Sequence, residues 1–268
     1  MVLENRFNKL IEARHGTILY NKNDIYIGKS IEKYGEFSYL EAKIFEQICK
    51  DGDVVIEVGA NIGAHTLYLS KLVGNGYVFA FEPQRLVFQN LCANLAINSI
   101  SNVFAYQEAV SNENGTIIIP ECNFKENNNF GGINIENTKN GTTVNKQKLD
   151  NFLNKIDRLK LLKIDVEGME ISVIKGASEL IKKFRPMIYV ENDRQEHSKE
   201  LIELLWSLDY KMYWHLPKLY NENNFFNDKE NIFGNIVSVN MFCIHKDSNI
   251  KILDMTEVLD SSFHPMKR

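Results

Sequence analysis

A chain of 268 residues, 44% hydrophobic and 25% charged, has ordinary globular composition and enough length to bury a full core. Its net charge of −4 lacks the basic excess of proteins that live on phosphate backbones, which argues against nucleic acid as a partner. Four scattered cysteines, no apolar leader and no bilayer-length apolar stretch set the cytoplasm as the expected compartment, with no membrane partner.

In chain order, residues 17–20 and 24–27 are short β-prone runs around Asn21-Lys22-Asn23, and the spacing predicts a hairpin. Residues 37–49 follow as a helix with Leu40, Ile44, Phe45 and Ile48 on one face, ended by Asp51-Gly52. Strands and helices then alternate. Val54–Val58 reads as a strand buried on both faces, 65–72 as a helix, Tyr77–Phe81 as a strand and 84–97 as a helix. Residues 103–110 read as a third strand, 159–164 as a fourth, 169–175 as a helix start and 187–190 as a fifth strand. A helix over 200–208, a β-like run over 211–214 and a long final strand over 236–244 complete the pattern. Such alternation predicts an α/β, doubly wound, parallel sheet.

Two stretches break the rhythm. Residues 113–148 hold a β-prone run at 116–119 and then an Asn-rich polar segment with Gly131-Gly132, which reads either as a lid or substrate loop or as an unstructured insertion. Residues 217–235 carry Tyr220, Phe225, Phe226 and Phe233, aromatics that line a cleft or anchor the loop to the core. The domain reading is an extension over 1–50, a main domain over 51–246 and a tail over 247–268.

The strongest local signal is Glu57-Val58-Gly59-Ala60-Asn61-Ile62-Gly63, which leaves the first strand and opens a helix. Ligands of open α/β sheets bind beyond the carboxyl ends of the strands, where glycines let the backbone approach them. Two positions after Gly59 stands Asn61, and three further on Ala64, so the dinucleotide fingerprint fails. What remains suits a ligand with an ammonium and a carboxylate but no pyrophosphate. Glu57 balances the ammonium, while the backbone around Asn61 and the helix start at His65-Thr66 take the carboxylate. A plain strand-to-helix turn through Gly59 and Gly63 is the competing explanation. The second strand ends in Glu82-Pro83, about twenty residues after Gly59, where a carboxylate accepts hydrogen bonds from a ribose diol. Glu108-Ala109 follows the third strand, at the place of an adenine edge.

These segments, together with Phe81-Glu82-Pro83, Glu108-Ala109-Val110 and Leu162-Lys163-Ile164-Asp165-Val166-Glu167-Gly168-Met169-Glu170, resemble the FkbM family of methyltransferases from about residue 35 to 191. The resemblance implies a class I methyltransferase (Rossmann-like) fold: a doubly wound, mostly parallel sheet with an antiparallel last strand, here preceded by a small hairpin and helix extension. It also implies S-adenosylmethionine as methyl donor and, as a rule, O-methylation of a sugar or natural-product hydroxyl. Glu57 departs from the family's more frequent Asp. The terminal regions lie outside the resemblance, and they choose the acceptor.

Methyl transfer needs near-attack geometry, and a hydroxyl acceptor must also lose its proton, so a carboxylate at the reacting centre would serve. Asp165, at the end of the fourth strand, is the first candidate, with Glu191 at the end of the fifth; helix capping is the competing role for Asp165. Asp165, Glu191 and Asn192 together also resemble the cation site of metal-dependent O-methyltransferases, but the family does not require Mg²⁺ and metal independence is the expectation. His197 reads either as a base near that rim or as a solvent-exposed residue beside a helix start, and Trp206 and Trp214 as core. The functional expectation is an O-methyltransferase acting on a small-molecule or glycan hydroxyl. A methyltransferase for protein or RNA, and a catalytically silent S-adenosylmethionine-binding scaffold, are the alternatives.

Overall fold

A computed structural model describes residues 3–132 and 140–266. The chain runs β1 (Leu3–Glu4), β2 (Asn8–Ala13), β3 (Gly16–Asn21), α1 (Ile27–Tyr34), α2 (Tyr39–Ile48), β4 (Val54–Val58), α3 (Ala64–Val73), β5 (Tyr77–Phe81), α4 (Arg85–Ile97) and β6 (Val103–Tyr106). It continues through β7 (Ala109–Val110), β8 (Gly115–Ile119), β9 (Thr142–Gln147), β10 (Leu161–Ile164), α5 (Glu170–Gly176), α6 (Ser178–Phe184) and β11 (Met187–Glu191). Last come α7 (Gln195–Ser207), β12 (Tyr210–His215), β13 (Asn240–His245) and β14 (Thr256–Glu257).

The main sheet has eight strands in the order β14-β12-β13-β11-β10-β4-β5-β6. Strands β11, β10, β4, β5 and β6 are parallel, whereas β13 inserts antiparallel between β11 and β12. After β4 the chain builds outward to β6 and then returns to lay β10 on the other side of β4. That reversal leaves a crevice beyond the carboxyl ends of β4 and β10, the place where open α/β sheets bind ligands.

Alternation along the strands divides the core. Ile56, Leu162, Ile188 and their neighbours face Val173, Ile174, Leu180 and Leu201 of α5, α6 and α7. Val55, Leu161, Tyr189 and Phe242 point the opposite way, toward Ile44 and Phe45 of α2 and Leu69 of α3. Burying both faces explains why these strands are almost wholly apolar. No helix among the described residues is long and apolar enough to cross a membrane.

Several elements differ from the sequence expectation. Residues 17–20 do form a strand, but their hairpin partner is β2, with Leu10 opposite Leu19, and residues 24–27 lead into α1 instead. Gly16 turns this hairpin at φ +126°, while the side chain of Asp24 accepts the N–H of Tyr26 at 2.9 Å and bends the chain toward the helix. The third strand breaks after Tyr106, and β7 pairs with β9 in a separate sheet of order β7-β9-β8. The partner of the run at 116–119 is therefore β9, with Thr116 opposite Asn145. The final strand begins at Asn240, since residues 236–239 serve as a loop at the mouth of the crevice. Part of the Asn-rich insertion, 133–139, lies outside the described residues. Its preceding stretch is anchored: Phe130 is buried, stacks on Phe124, and its carbonyl accepts a hydrogen bond from Gln84 at 2.8 Å.

Candidate functional site

The crevice holds a cavity of about 290 Å³. Glu57, Gly59, Ala60, Asn61, Glu82, Pro83, Glu108, Ala109, Asp165 and Glu191 all line it, so most of the residues singled out in sequence are brought together. The loop after β4 is locked to the end of β5. The N–H groups of Gly59 and Ala60 both reach the carbonyl of Phe81, at 3.0 and 2.9 Å. Asn61, left-handed at φ +50°, donates its N–H to Glu82 Oε2 at 3.0 Å, and the N–H of Gln84 reaches Oε1 at 2.8 Å. Each carboxylate oxygen of Glu82 thereby keeps a further lone pair, and burial pushes its pKa up to about 7 despite those two donors. Gly63 precedes α3 at φ +86° and is not among the residues that line the cavity.

Glu57 projects from the middle of the sheet and is 1% exposed. Burial raises its pKa, and Lys163, followed by Thr66, acts in the opposite direction. Thr66, expected from sequence at the ligand's carboxylate, is fully buried and donates its hydroxyl to Glu57 Oε2 at 2.6 Å. The first turn of α3 directs the Thr66 side chain back at the sheet, leaving only its backbone at the helix start, and His65 is the residue of that pair on the cavity wall. His65 is itself buried, and burial brings its pKa down to about 3, so the imidazole is neutral.

Asp165 does not cap α5. That helix has no side-chain cap, and Glu170 takes the nearby N–H of Gly168 at 3.0 Å. The carboxylate of Asp165 is 41% exposed and approaches Lys163 Nζ at 3.2 Å. Glu108 is tied to Gln147 of β9, which links the small sheet to the wall. Asn192 points away from the cavity and donates to Ser198 Oγ at 3.0 Å and Met241 Sδ at 3.4 Å. It therefore does not join Asp165 and Glu191 as a ligand set, because the backbone alternation that turns Glu191 inward turns residue 192 into the core. The carboxylates that do converge are Glu167, Glu191 and Asp193, with oxygens within 4.8 Å of one another. Arg194 holds Glu167 at 2.7 Å and approaches Asp193 at 3.5 Å, while Glu191 Oε2 is buried with no hydrogen-bond partner among the described residues. Burial first, then the crowding of these acids, raises the pKa of Glu191 well above the usual carboxylate range.

The remaining wall comes from outside the recognised motifs. Glu41 of α2 is 5% exposed, accepts the hydroxyl of Ser38 at 2.8 Å, and burial lifts its pKa to about 7. Leu219 and residues 236–240 also line the cavity, with Ser238 in hydrogen-bond contact with Glu41. Of the aromatics at 217–235, Phe233 is buried against Tyr26 and Tyr34, and Tyr220 packs on Tyr34; these anchor the loop, and none of the four lines the cavity. His197 lies on α7 away from the wall, Trp214 is buried and Trp206 packs against the core.

Among the site residues that sequence reasoning passed over are Lys163, Glu41, Asp193 and Arg194. Lys163 had a legible signal, a charged residue in the interior of a strand whose neighbours are all apolar. Glu41 had none, since a Glu in an amphipathic helix is ordinarily a solvated residue.

The chain matches the model of the Methyltransferase FkbM domain over residues 57–212, more than half its length. Methyltransferase sdnD of Sordaria araneosa is 27% identical over 181 residues, covering 54% of this chain and 70% of that protein. Hexuronic acid methyltransferase AglP of Haloferax volcanii is 25% identical over 178 residues, covering 66% of this chain and 70% of that protein. Among solved structures, the methyltransferase FkbM from Methylobacillus flagellatus KT aligns at a TM-score of 0.45 and 18% identity, covering 76% of this chain and 50% of that one. With the crevice, the acidic strand ends and the matched segment in one place, the chain belongs to the FkbM methyltransferase family and is an S-adenosylmethionine-dependent methyltransferase of that type.

Proposed function

We propose that this chain is an O-methyltransferase for a hydroxyl of a saccharide or another small natural product. The observation that carries the reading is Asp165: a carboxylate open to the cavity, beside Gly59 of the cofactor loop and freed from any capping duty. A carboxylate so placed orients a hydroxyl and accepts its proton. Glu191, deeper on the same wall, is the second group assigned to the acceptor.

The residues present fit S-adenosylmethionine. Gly59, lacking a Cβ, lets the loop after β4 pack directly on the backbone of Asp165 at the cavity, Glu82 retains lone pairs for a ribose diol, and Glu57 offers a buried carboxylate to an ammonium. The backbone at Ala60, Asn61 and the start of α3 forms the floor, with Pro83 and Glu108-Ala109 at the adenine end. When bound, S-adenosylmethionine supplies a methyl group activated by its sulfonium. The protein's own part is to hold donor and acceptor in line, exclude water through the walls from α2 and residues 236–240, and take up the hydroxyl proton at Asp165. No metal enters this reading, and Asn192 has no place in it.

Acceptor choice is assigned to the extension 1–50 and to the segment after residue 212, whose Glu41, Leu219 and 236–240 wall the cavity outside the matched domain. AglP is named for a hexuronic acid; here Glu167, Glu191 and Asp193 already crowd one another enough to hold Glu191 toward its neutral form, and a further carboxylate would add to that crowding, which favours an acceptor without one. The test is a panel of saccharides and hydroxylated metabolites incubated with methyl-labelled S-adenosylmethionine. Label should appear on oxygen in a neutral saccharide or related hydroxyl compound, identified by NMR of the product. Label on nitrogen or carbon would overturn the reading.

A further inference from the structure

Lys163 is 2% exposed, in a strand interior, and is the one Lys or Arg among the described residues that line the cavity. In the sheet it stands opposite Glu57 on β4 and Tyr189 on β11. One row lower on the same face the residues are Leu161, Val55 and Met187, all apolar. Lys163 and Glu57 thus mark the level at which the apolar core ends and the cavity begins. The ammonium lies 3.2 Å from Asp165 Oδ2 and 3.7 Å from Glu57 Oε1. The groups that face it are Glu57 from β4, Asp165 from its own strand, Glu41 from α2, His65 from α3 and Tyr189 from β11. His65 is neutral, and burial keeps the Tyr189 phenol protonated, so the charges to be balanced are carboxylates alone.

We infer that Lys163 is a positioning residue for the donor, the buried counter-ion that holds the Glu57 carboxylate charged and aimed at the methionyl ammonium. This rests on the reading of Glu57 as the ammonium's partner. A buried carboxylate with no cation beside it takes up a proton, and a protonated Glu57 offers an ammonium no charge. Thr66 supplies a hydrogen bond but no charge, and the nearby Glu82 and Asp165 carboxylates would push Glu57 further toward its neutral form. Lys163 is the group that reverses this. A core built for stability alone would have continued the apolar row of Leu161 and Val55, because replacing a buried ion pair with packed apolar side chains is often neutral or stabilising.

The experiment compares Lys163→Met, Glu57→Gln and the double variant in the full chain, with S-adenosylhomocysteine affinity read by calorimetry across pH. Lys163→Met should bind at least about tenfold more weakly than wild type at neutral pH. The deficit should shrink as pH rises, because Glu57 then loses its proton without the lysine's help. Glu57→Gln should show a loss that alkali does not repair, and the double variant should match it. A folded Lys163→Met with wild-type affinity, or with a loss equal at every pH, overturns the inference. Where Lys163→Met fails to fold, the double variant, which removes both charges of the pair, decides: binding equal to Glu57→Gln supports it, and binding more than tenfold weaker refutes it. Unchanged affinity in Glu57→Gln would instead strike the assignment of Glu57 itself.

Discussion

The α-carbon of Gly59 lies against the carbonyl oxygen of Asp165, so close that a Cβ built there would fall 1.7 Å from it. The loop after β4 and the chain at Asp165 after β10 are thus in backbone contact, and the side chain that would separate them is missing. Gly59 also has φ +83°, a conformation that costs other residues strain. Gly59→Ala should lower the unfolding free energy by at least about 2 kcal/mol and abolish measurable S-adenosylhomocysteine binding. Gly52, at φ +85° with nothing within 4 Å of its would-be Cβ, is the control. Gly52→Ala should cost only about 1 kcal/mol, so urea titrations giving equal losses would refute the contact.

Glu82 carries a second expected outcome. Burial sets its pKa to about 7 in the free chain. Ribose hydroxyls donating to it would favour the ionised form and lower that value, so binding should expel a proton where Glu82 begins protonated. Calorimetry in buffers of different ionisation enthalpy should register proton release on S-adenosylhomocysteine binding at about pH 6, fading by about pH 9. Glu82→Ala should bind at least about tenfold more weakly and show far less release. Undiminished release in that variant would place the titrating group elsewhere.

Stability should follow pH for a related reason. The buried Glu41 and Glu82 each titrate at about 7 in the folded chain, against an ordinary 4.5. A folded pKa above the unfolded one means that the folded state holds protons the unfolded state has released. That stabilisation is complete below the unfolded value and is lost as pH climbs to about 7. The free chain should therefore lose roughly 1–3 kcal/mol of unfolding free energy between about pH 5 and pH 7. Glu41→Gln should flatten part of that slope in urea titrations, and an unaltered slope would show that Glu41 titrates as an exposed acid.

Asp165→Asn separates binding from chemistry. The change keeps size and removes the charge, and α5 loses nothing because Asp165 does not cap it. With an acceptor from the saccharide panel, turnover should drop by at least about a hundredfold while S-adenosylhomocysteine affinity stays within about threefold. Activity of the unaltered chain should be indifferent to a chelator. Loss on chelation with recovery on Mg²⁺ would bring a metal back into the mechanism.

The sequence by itself determined whatever is decided within a strand and the turn that follows it. Val54–Val58 and Tyr77–Phe81 are apolar apart from Glu57, so they had to lie inside a parallel sheet, and the acids near their carboxyl ends, Glu57 and Glu82, had to stand at its ligand-binding edge. Asn61 and Ala64 at the places of the second and third glycines argued against a pyrophosphate in the turn for an equally local reason. Pairing between distant segments was beyond that reach: β3 chose β2 over residues 24–27, and Val103 to Val110 split between two sheets, because register is settled by the faces that find burial. Side-chain direction at the strand ends was likewise a tertiary decision. Glu191, turned into the cavity, and Asn192, turned into the core, are consecutive residues, and Thr66 spends its hydroxyl on Glu57. Lys163 shows the division most plainly. Its presence in an apolar strand was visible in the sequence, but a buried ammonium is tolerable only where carboxylates from other segments converge, and only folding brings Glu57 and Glu41 to it.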